Sequence, residues 1–255
     1  MKLASLNINI VSKPTADLTK VTEYLQAEGF SWTEDVDATP GEKLVEVAGR
    51  ICYMSFSKDM SKIRYPNSKY IKNIIDKGHE SVLEHASWSF ILSGVSRAFS
   101  HQLVRHRVGF AFSQLSQQYH NESNTSFVLP YGIEENSREY KHWKNAISQA
   151  MKVYRSFLMQ DKIEPDQLSQ KESLRHKRSL ARSLLPNATA TTLFVSANAR
   201  ALRHFFGLRG TIEGDYEMRQ VCTVLLEKIR PDAPSFFEDF KIIDHHDGEK
   251  IISKN

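Results

Sequence analysis

Arg105, His106 and Arg107 stand side by side, and no acid follows them until Glu122. Three potential cations without a local counter-charge need an anion from elsewhere: solvent, a nucleic-acid backbone or a small phosphorylated ligand. Two further stripes repeat the chemistry. In "NARALRHFFGLRG", Arg200 and His204 are four apart, with Asn198 just upstream and Arg209 past the expected helix end, while Leu202, Phe205 and Phe206 turn to the apolar side. In "RHKRSLARSLLPNAT", Arg175, Arg178 and Arg182 follow helical spacing. A solvated helix face gives the same pattern, and the helix dipole favours cations near a C-terminus. That reading covers one or two of these groups. It does not explain Arg97, His101, Arg105, His106 and Arg107 within eleven residues.

"KGHESVLEHASW" holds His79, Glu80, Glu84 and His85, all of them metal-ligand types. On an α-helix, histidines six apart sit about 240° round the axis, unlike the four-residue spacing of a zinc protease. No aspartate pair or Cys cluster stands nearby to complete a coordination sphere, so no metal site is expected. Glu84 and His85 then either brace the next strand or hydrogen-bond a polar ligand. Neither GxGxxG after a strand nor GxxxxGK[ST] occurs, which disfavours a dinucleotide-binding Rossmann unit and a P-loop.

The elements that must carry these groups alternate between strand and helix. Leu6, Ile8 and Ile10 alternate as in a half-buried strand, and helices are expected over 15–29, 42–53 and 68–77. "ASWSFILSG" predicts a strand and "SRAFSHQLVRHRV" a helix capped by Ser96, giving way to a loop around Gly109. Arg97, His101 and Arg105 would share one face of that helix, with Gln102 beside them. Two long helices, 137–162 and 165–185, are expected on either side of Pro165, then a strand over 189–197, a helix from Asn198 and another up to Arg230. From about residue 244 the chain is polar and is expected to fray.

The 255 residues are 40% hydrophobic and 25% charged, the profile of a soluble domain with a real core, and the net charge is only +4. Anion binding must therefore come from local clusters. No signal-peptide core and no run near the roughly 18 apolar residues of a membrane span are seen. Cys52 and Cys222 form no CxxC pair, and "RICYM" and "RQVCTVLL" read as apolar settings for core thiols. Together these predict a reduced, cytoplasmic protein with no membrane contact.

"RHR" followed by "SQLSQQY", preceded by "GHESVLEH" and followed by "ARSLLPNAT" and "NARALRHFFGLRG", resembles the flavin-dependent thymidylate synthase family. The resemblance runs from about residue 46 to 240, with the motifs in the family's order. It implies a single α/β (α+β) domain over residues 1–255, a mixed central sheet flanked by long helices, and a homotetramer whose active sites lie between subunits. It also implies bound FAD, reduction by NADPH, and methylenetetrahydrofolate as carbon donor to C5 of dUMP. By the same resemblance, His79, Ser81, Glu84, His106, Arg107, Val108, Asn198, Arg200 and His204 match flavin-contacting positions. Gln102, Arg105, Gln114, Ser116, Gln118, Arg182 and Arg209 match nucleotide-contacting ones. No base is evident beside Ser116, so it is expected to position the substrate and not attack it. Arg209 is expected to stabilise charge developing on the pyrimidine carbonyl.

The chain departs from the family's pattern in places. Eight residues, "VGFAFSQL", separate Arg107 from Ser116 where the family has seven, and Gln118 stands where the family has arginine. Gly214 and Asp215 replace a common Ala-Gln. A longer loop and the loss of a guanidinium raise a second substrate, UMP, alongside dUMP. Two other classes stay open on the residues alone: a nucleic-acid-binding protein, disfavoured by the modest net charge, and a non-catalytic flavoprotein.

Overall fold

Ile8 is buried between exposed Asn7 and Asn9, the period-two pattern that makes Asn7–Ser12 a strand. The computed structural model describes residues 1–57, 66–160 and 168–254. In chain order its strands are β1 (Lys2–Leu3), β2 (Asn7–Ser12), β3 (Ser87–Ser96), β4 (Phe110–Gln114), β5 (Ser126–Phe127), β6 (Ala190–Asn198), β7 (Phe240–Asp244) and β8 (Lys250–Lys254). The helices are α1 (Leu18–Ala27), α2 (Pro40–Ile51), α3 (Asn67–Asp76), α4 (Arg97–Leu103), α5 (Arg138–Met159), α6 (Gln170–Ala181), α7 (Ala199–Arg209) and α8 (Tyr216–Ile229). The fold class is α/β, as expected. One sheet has the order β2-β3-β6-β4. Strand β1 pairs with β5 in parallel, Lys2 opposite Ser126, and β7 pairs with β8 antiparallel, Phe240 opposite Lys254.

The helix starts follow capping chemistry. Thr39 and Glu42 form a reciprocal capping box before α2, with Pro40 in the first turn, and Ser169 and Glu172 do the same for α6. Ser96, Ser137, Asn198 and Asp215 each accept a backbone N–H from three residues on, starting α4, α5, α7 and α8.

The chain divides into two compact units. The first comprises Met1–Asn7, Ile91–Arg105 and Phe112–Phe194. Here α5 packs on α6, and Phe127, Ile147, Met151, Tyr154 and Ala181 form a buried cluster. The second comprises Ile8–Phe90, His106–Ala111 and Val195–Asn255. In it α7 packs on α8 and on a 3-10 turn, Glu80–His85, above an aromatic group of Trp88, Phe206, Phe236, Phe237 and Phe240.

Several expectations are corrected. Helix α4 stops at Leu103, so Arg105 is not the third member of a helical face; its N–H instead closes a turn onto the Gln102 carbonyl. The stretch "VGFAFSQL" is not a loop, because Phe110–Gln114 is strand β4. The segment after Asp244 does not fray: β8 folds back on β7 and buries Ile251 and Ile252 against α7 and α8. Cys52 is exposed at the end of α2, whereas Cys222 is buried as expected. Of the two long helices, the described parts end at Met159 and begin at Gln170, and Pro165 lies outside the described residues.

Candidate active site

In the second unit, two separated motifs converge on a third, which is α7 itself. The 3-10 turn Glu80–His85 follows His79 and packs against the helix. At its end, Glu84 accepts a hydrogen bond from Arg200 Nη1 at 2.6 Å, with both side chains nearly half exposed. His79 stands just before this turn and His85 at its end, and six residues of an ideal 3-10 helix rise about 12 Å, a spacing unlike that of two ligands of one ion. One helical turn beyond Arg200, Arg203 is fully buried; Asp239 binds it bidentately at 2.7 and 2.8 Å, and Glu80 lies 3.5 Å from its Nε. The 3-10 turn is thus fixed to α7 by one exposed and one buried pair of charges.

His106 and Arg107 of the Arg-His-Arg motif are tied to the same helix through Gly109. This glycine has φ +72°, and its carbonyl accepts the Asn198 N–H at 3.1 Å. A Cβ there would lie 2.7 Å from Asn198 Nδ2 and 2.8 Å from the Ala201 Cβ, so only glycine permits the close approach. The turn sets the His106 ring 6.2 Å from His204 and 5.1 Å from Phe205, centroid to centroid. His106 Nε2 accepts from Arg209 Nε at 3.1 Å. Burial, then the positive field of Arg209, then His204 push the His106 pKa below the usual imidazole value. His79, Ser81, Arg107, Val108, Arg200 and His204 remain exposed around this framework.

The first unit gathers the other expected residues. Gln114 Nε2, on β4, donates to Ser100 Oγ at 2.8 Å and points also at Thr191 Oγ1 at 3.4 Å. Ser116 Oγ accepts the Gln118 N–H at 3.3 Å, and Gln118 Nε2 donates to Ser179 Oγ on α6 at 3.3 Å. Arginines hold this turn from outside: Arg97 donates to the Leu115 carbonyl at 3.2 Å, Arg178 to that of Tyr119 at 2.7 Å, and Arg175 lies over the Tyr119 ring. Burial pushes the Arg97 pKa down, Glu122 opposes that shift and Arg182 adds to it. Arg182 itself is exposed at the C-cap of α6. Gln102 is half-buried on α4 and Arg105 is exposed just beyond it. Buried Arg97 Nε and Gln117 Nε2 have no hydrogen-bond partner among the described residues.

Residues 36–235 match the family model described as thymidylate synthase complementing protein. The chain is also 39% identical over 253 residues to the flavin-dependent thymidylate synthase of Mycobacterium marinum, covering 98% of this chain and 96% of the relative. The chain belongs to this family. Its likeness to the flavin-dependent thymidylate synthases of Mycobacterium avium, 37% over 99% of this chain and 96% of the relative, and of Mycobacterium tuberculosis, 38% over 98% and 96%, is of the same extent.

In this member of the flavin-dependent thymidylate synthase family, some residues that hold the site were not legible in advance. Arg203 and Glu80 lock the 3-10 turn to α7, and Ser100 and Ser179 anchor Gln114 and Gln118; Arg97 and Arg178, legible as members of cationic stripes, are engaged in part by the Leu115 and Tyr119 carbonyls. Arg203 lies in "RALRHFF" like any surface arginine of an amphipathic helix; its acids come from distant positions, and only folding reveals them.

Proposed function

We propose that the chain is an FAD-dependent thymidylate synthase that methylates C5 of dUMP to give dTMP, with methylenetetrahydrofolate as carbon donor and NADPH as reductant. The observation that carries this reading is the docking of the His106–Gly109 turn onto α7 through Gly109 and Asn198. It joins His106 to His204 and Arg209 on the helix that also holds the Arg200–Glu84 pair. Near full-length identity of 37–39% to named flavin-dependent thymidylate synthases supports it.

The donor set fits FAD. Arg107, Arg200, His79 and His204 are exposed donors for a diphosphate, and guanidinium forks match phosphate oxygens. In our assignment Ser81, Val108 and Asn198 line the cofactor with them, and Glu84 orients the Arg200 guanidinium. FAD held by these residues would, once reduced, supply the hydride needed to complete the methyl group. Among the nucleotide residues, Arg105 and Arg182 are assigned to the phosphate, and Gln102, Gln114, Ser116 and Gln118 to polar contacts with sugar and base. The unpartnered Arg97 Nε and Gln117 Nε2 are donors that a bound nucleotide would satisfy. Ser116 is assigned to positioning the substrate, its Oγ oriented by the Gln118 N–H. Arg209, oriented through its Nε by His106, stabilises negative charge on the pyrimidine carbonyl.

The relatives are named for thymidylate, so UMP is not the favoured substrate. No described helix is long and apolar enough to cross a membrane. A cytoplasmic homotetramer with shared active sites is part of the proposal. The test is the flavin absorbance of the purified protein, followed by conversion of dUMP to dTMP that requires both methylenetetrahydrofolate and NADPH and yields tetrahydrofolate. Colourless protein that binds DNA with a steep salt dependence would overturn it.

A further inference from the structure

We propose that Glu213, His245 and His246 form a site for a divalent transition metal with the ligand preference of zinc, clipping the β7–β8 turn to the α7–α8 connection. Glu213 lies between Arg209, which ends α7, and Tyr216, which begins α8; the two histidines directly follow β7. Each of the three offers a ligand atom, and these atoms all lie within 4.8 Å of one another. His245 Nε2 is 3.5 Å from Glu213 Oε1. Zinc bonds of about 2.0–2.2 Å to nitrogen and oxygen make the edge of a coordination tetrahedron roughly 3.4 Å, so this pair is already spaced as two ligands of one ion.

The far side of His245 supplies the second observation. Its Nδ1 lies 3.0 Å from Asp247 Oδ2, an oxygen that also accepts from Arg219 Nη2 at 2.6 Å, while Asp247 Oδ1 accepts the Glu249 N–H at 3.0 Å. Arg219 Nη1 is 3.3 Å from the same ring nitrogen, but the carboxylate is the closer neighbour and accepts the hydrogen bond that Nδ1–H donates. Nε2 is then the lone-pair nitrogen, directed to Glu213. A carboxylate behind a histidine is the usual support of a metal ligand, because it fixes the tautomer and raises basicity.

The turn itself brings the second histidine round. Consecutive residues in a strand point to opposite faces, yet the His245 and His246 rings are 3.9 Å apart, centroid to centroid. Two backbone hydrogen bonds produce this: the His245 N–H to the Glu249 carbonyl at 2.9 Å and the Gly248 N–H to the His245 carbonyl at 3.0 Å. Two imidazoles and one carboxylate leave a fourth position for water. Bound metal would tie the C-terminal hairpin, which packs on α7 and α8, to the connection between those helices.

The test uses tag-free, full-length protein freed of metal with a chelator. Titration with Co²⁺ should give the intense visible absorption of a four-coordinate site at one equivalent, and Zn²⁺ should displace it and raise Tm. His246→Ala and Glu213→Gln should each weaken binding about tenfold or more while leaving flavin content and circular dichroism unchanged. His245 is left intact because it braces Arg219 and Asp247. The absence of a four-coordinate cobalt spectrum, or equal binding by wild type and both variants, would overturn the site. Neither readout depends on thymidylate synthesis.

Discussion

Arg209 Nε donates to His106 Nε2 across 3.1 Å, and since a guanidinium can only donate, His106 is held as the neutral Nδ1–H tautomer. The residue at the centre of the Arg-His-Arg motif is therefore not a third cation. It is the acceptor that orients an arginine more than a hundred residues away.

The pH dependence follows. His106 has a pKa lowered by burial, Arg209 and His204, so the unfolded chain takes up a proton that the native state refuses. Its contribution is fully present above about pH 6.5, the unperturbed imidazole value, and is lost as pH falls toward the lowered native value. Thermal melts between pH 5 and 7 should show a shallower loss in His106→Gln than in wild type. Imidazole NMR should place the wild-type His106 titration below that of a free histidine, and Arg209→Ala should move it upward. An unperturbed His106 titration that ignores Arg209 would contradict the pairing.

The protein should purify yellow, and Arg200→Ala or His204→Ala should weaken FAD retention by about tenfold, the scale of one lost charged contact. Fold stability should change by less than about 1 kcal/mol in Arg200→Ala, because the Arg200–Glu84 pair is solvent-exposed. Flavin spectra showing full occupancy in both variants would remove that face of α7 from the cofactor site.

Neither thiol should be needed for methyl transfer. Burial pushes the Cys222 pKa well above normal, and exposed Cys52 only donates weakly to the Ala48 carbonyl at 3.5 Å. A Cys52→Ala/Cys222→Ala protein that folds and binds flavin should retain activity within about threefold, a difference of well under 1 kcal/mol. Complete loss of methylation in such a protein would exclude a mechanism without a cysteine nucleophile.

Arg203→Met should be the most damaging of these substitutions for the fold. It strips Asp239 of both hydrogen bonds and Glu80 of its neighbouring charge, and breaking a buried pair from one side costs about 3–5 kcal/mol. For a chain of this size that is a Tm fall on the order of 10 °C. A melt within a degree or two of wild type would show that the guanidinium is dispensable.

Gly109→Ala should loosen the Arg-His-Arg turn from α7. The new methyl meets Asn198 and Ala201 at under 3 Å in a left-handed backbone conformation, a strain of about 1–3 kcal/mol. Reduced flavin retention with little change in far-ultraviolet circular dichroism is the expected signature; undiminished retention would dissociate the turn from the cofactor site.

Sequence alone determined the order of the main elements and the family to which the chain belongs. These follow from local rules: alternation around Ile8, the caps at Ser96 and Asn198, and cations clustered within short separate motifs that stand in the family's order. Tertiary structure decided what each polar group is paired with. Arg200 and Arg203 look alike in sequence, yet one is exposed beside Glu84 and the other sealed in with Asp239, partners 116 and 36 residues away. Strand β4 escaped notice because an edge strand's ladder partner, β6, lies far along the chain. The C-terminal hairpin escaped for a related reason: "DHHDGEK" is as polar as a frayed tail, and its order comes from buried Ile251 and Ile252 and from Arg219 gripping Asp247. Local propensity writes the elements, but burial and long-range pairing of charge depend on which distant segments meet.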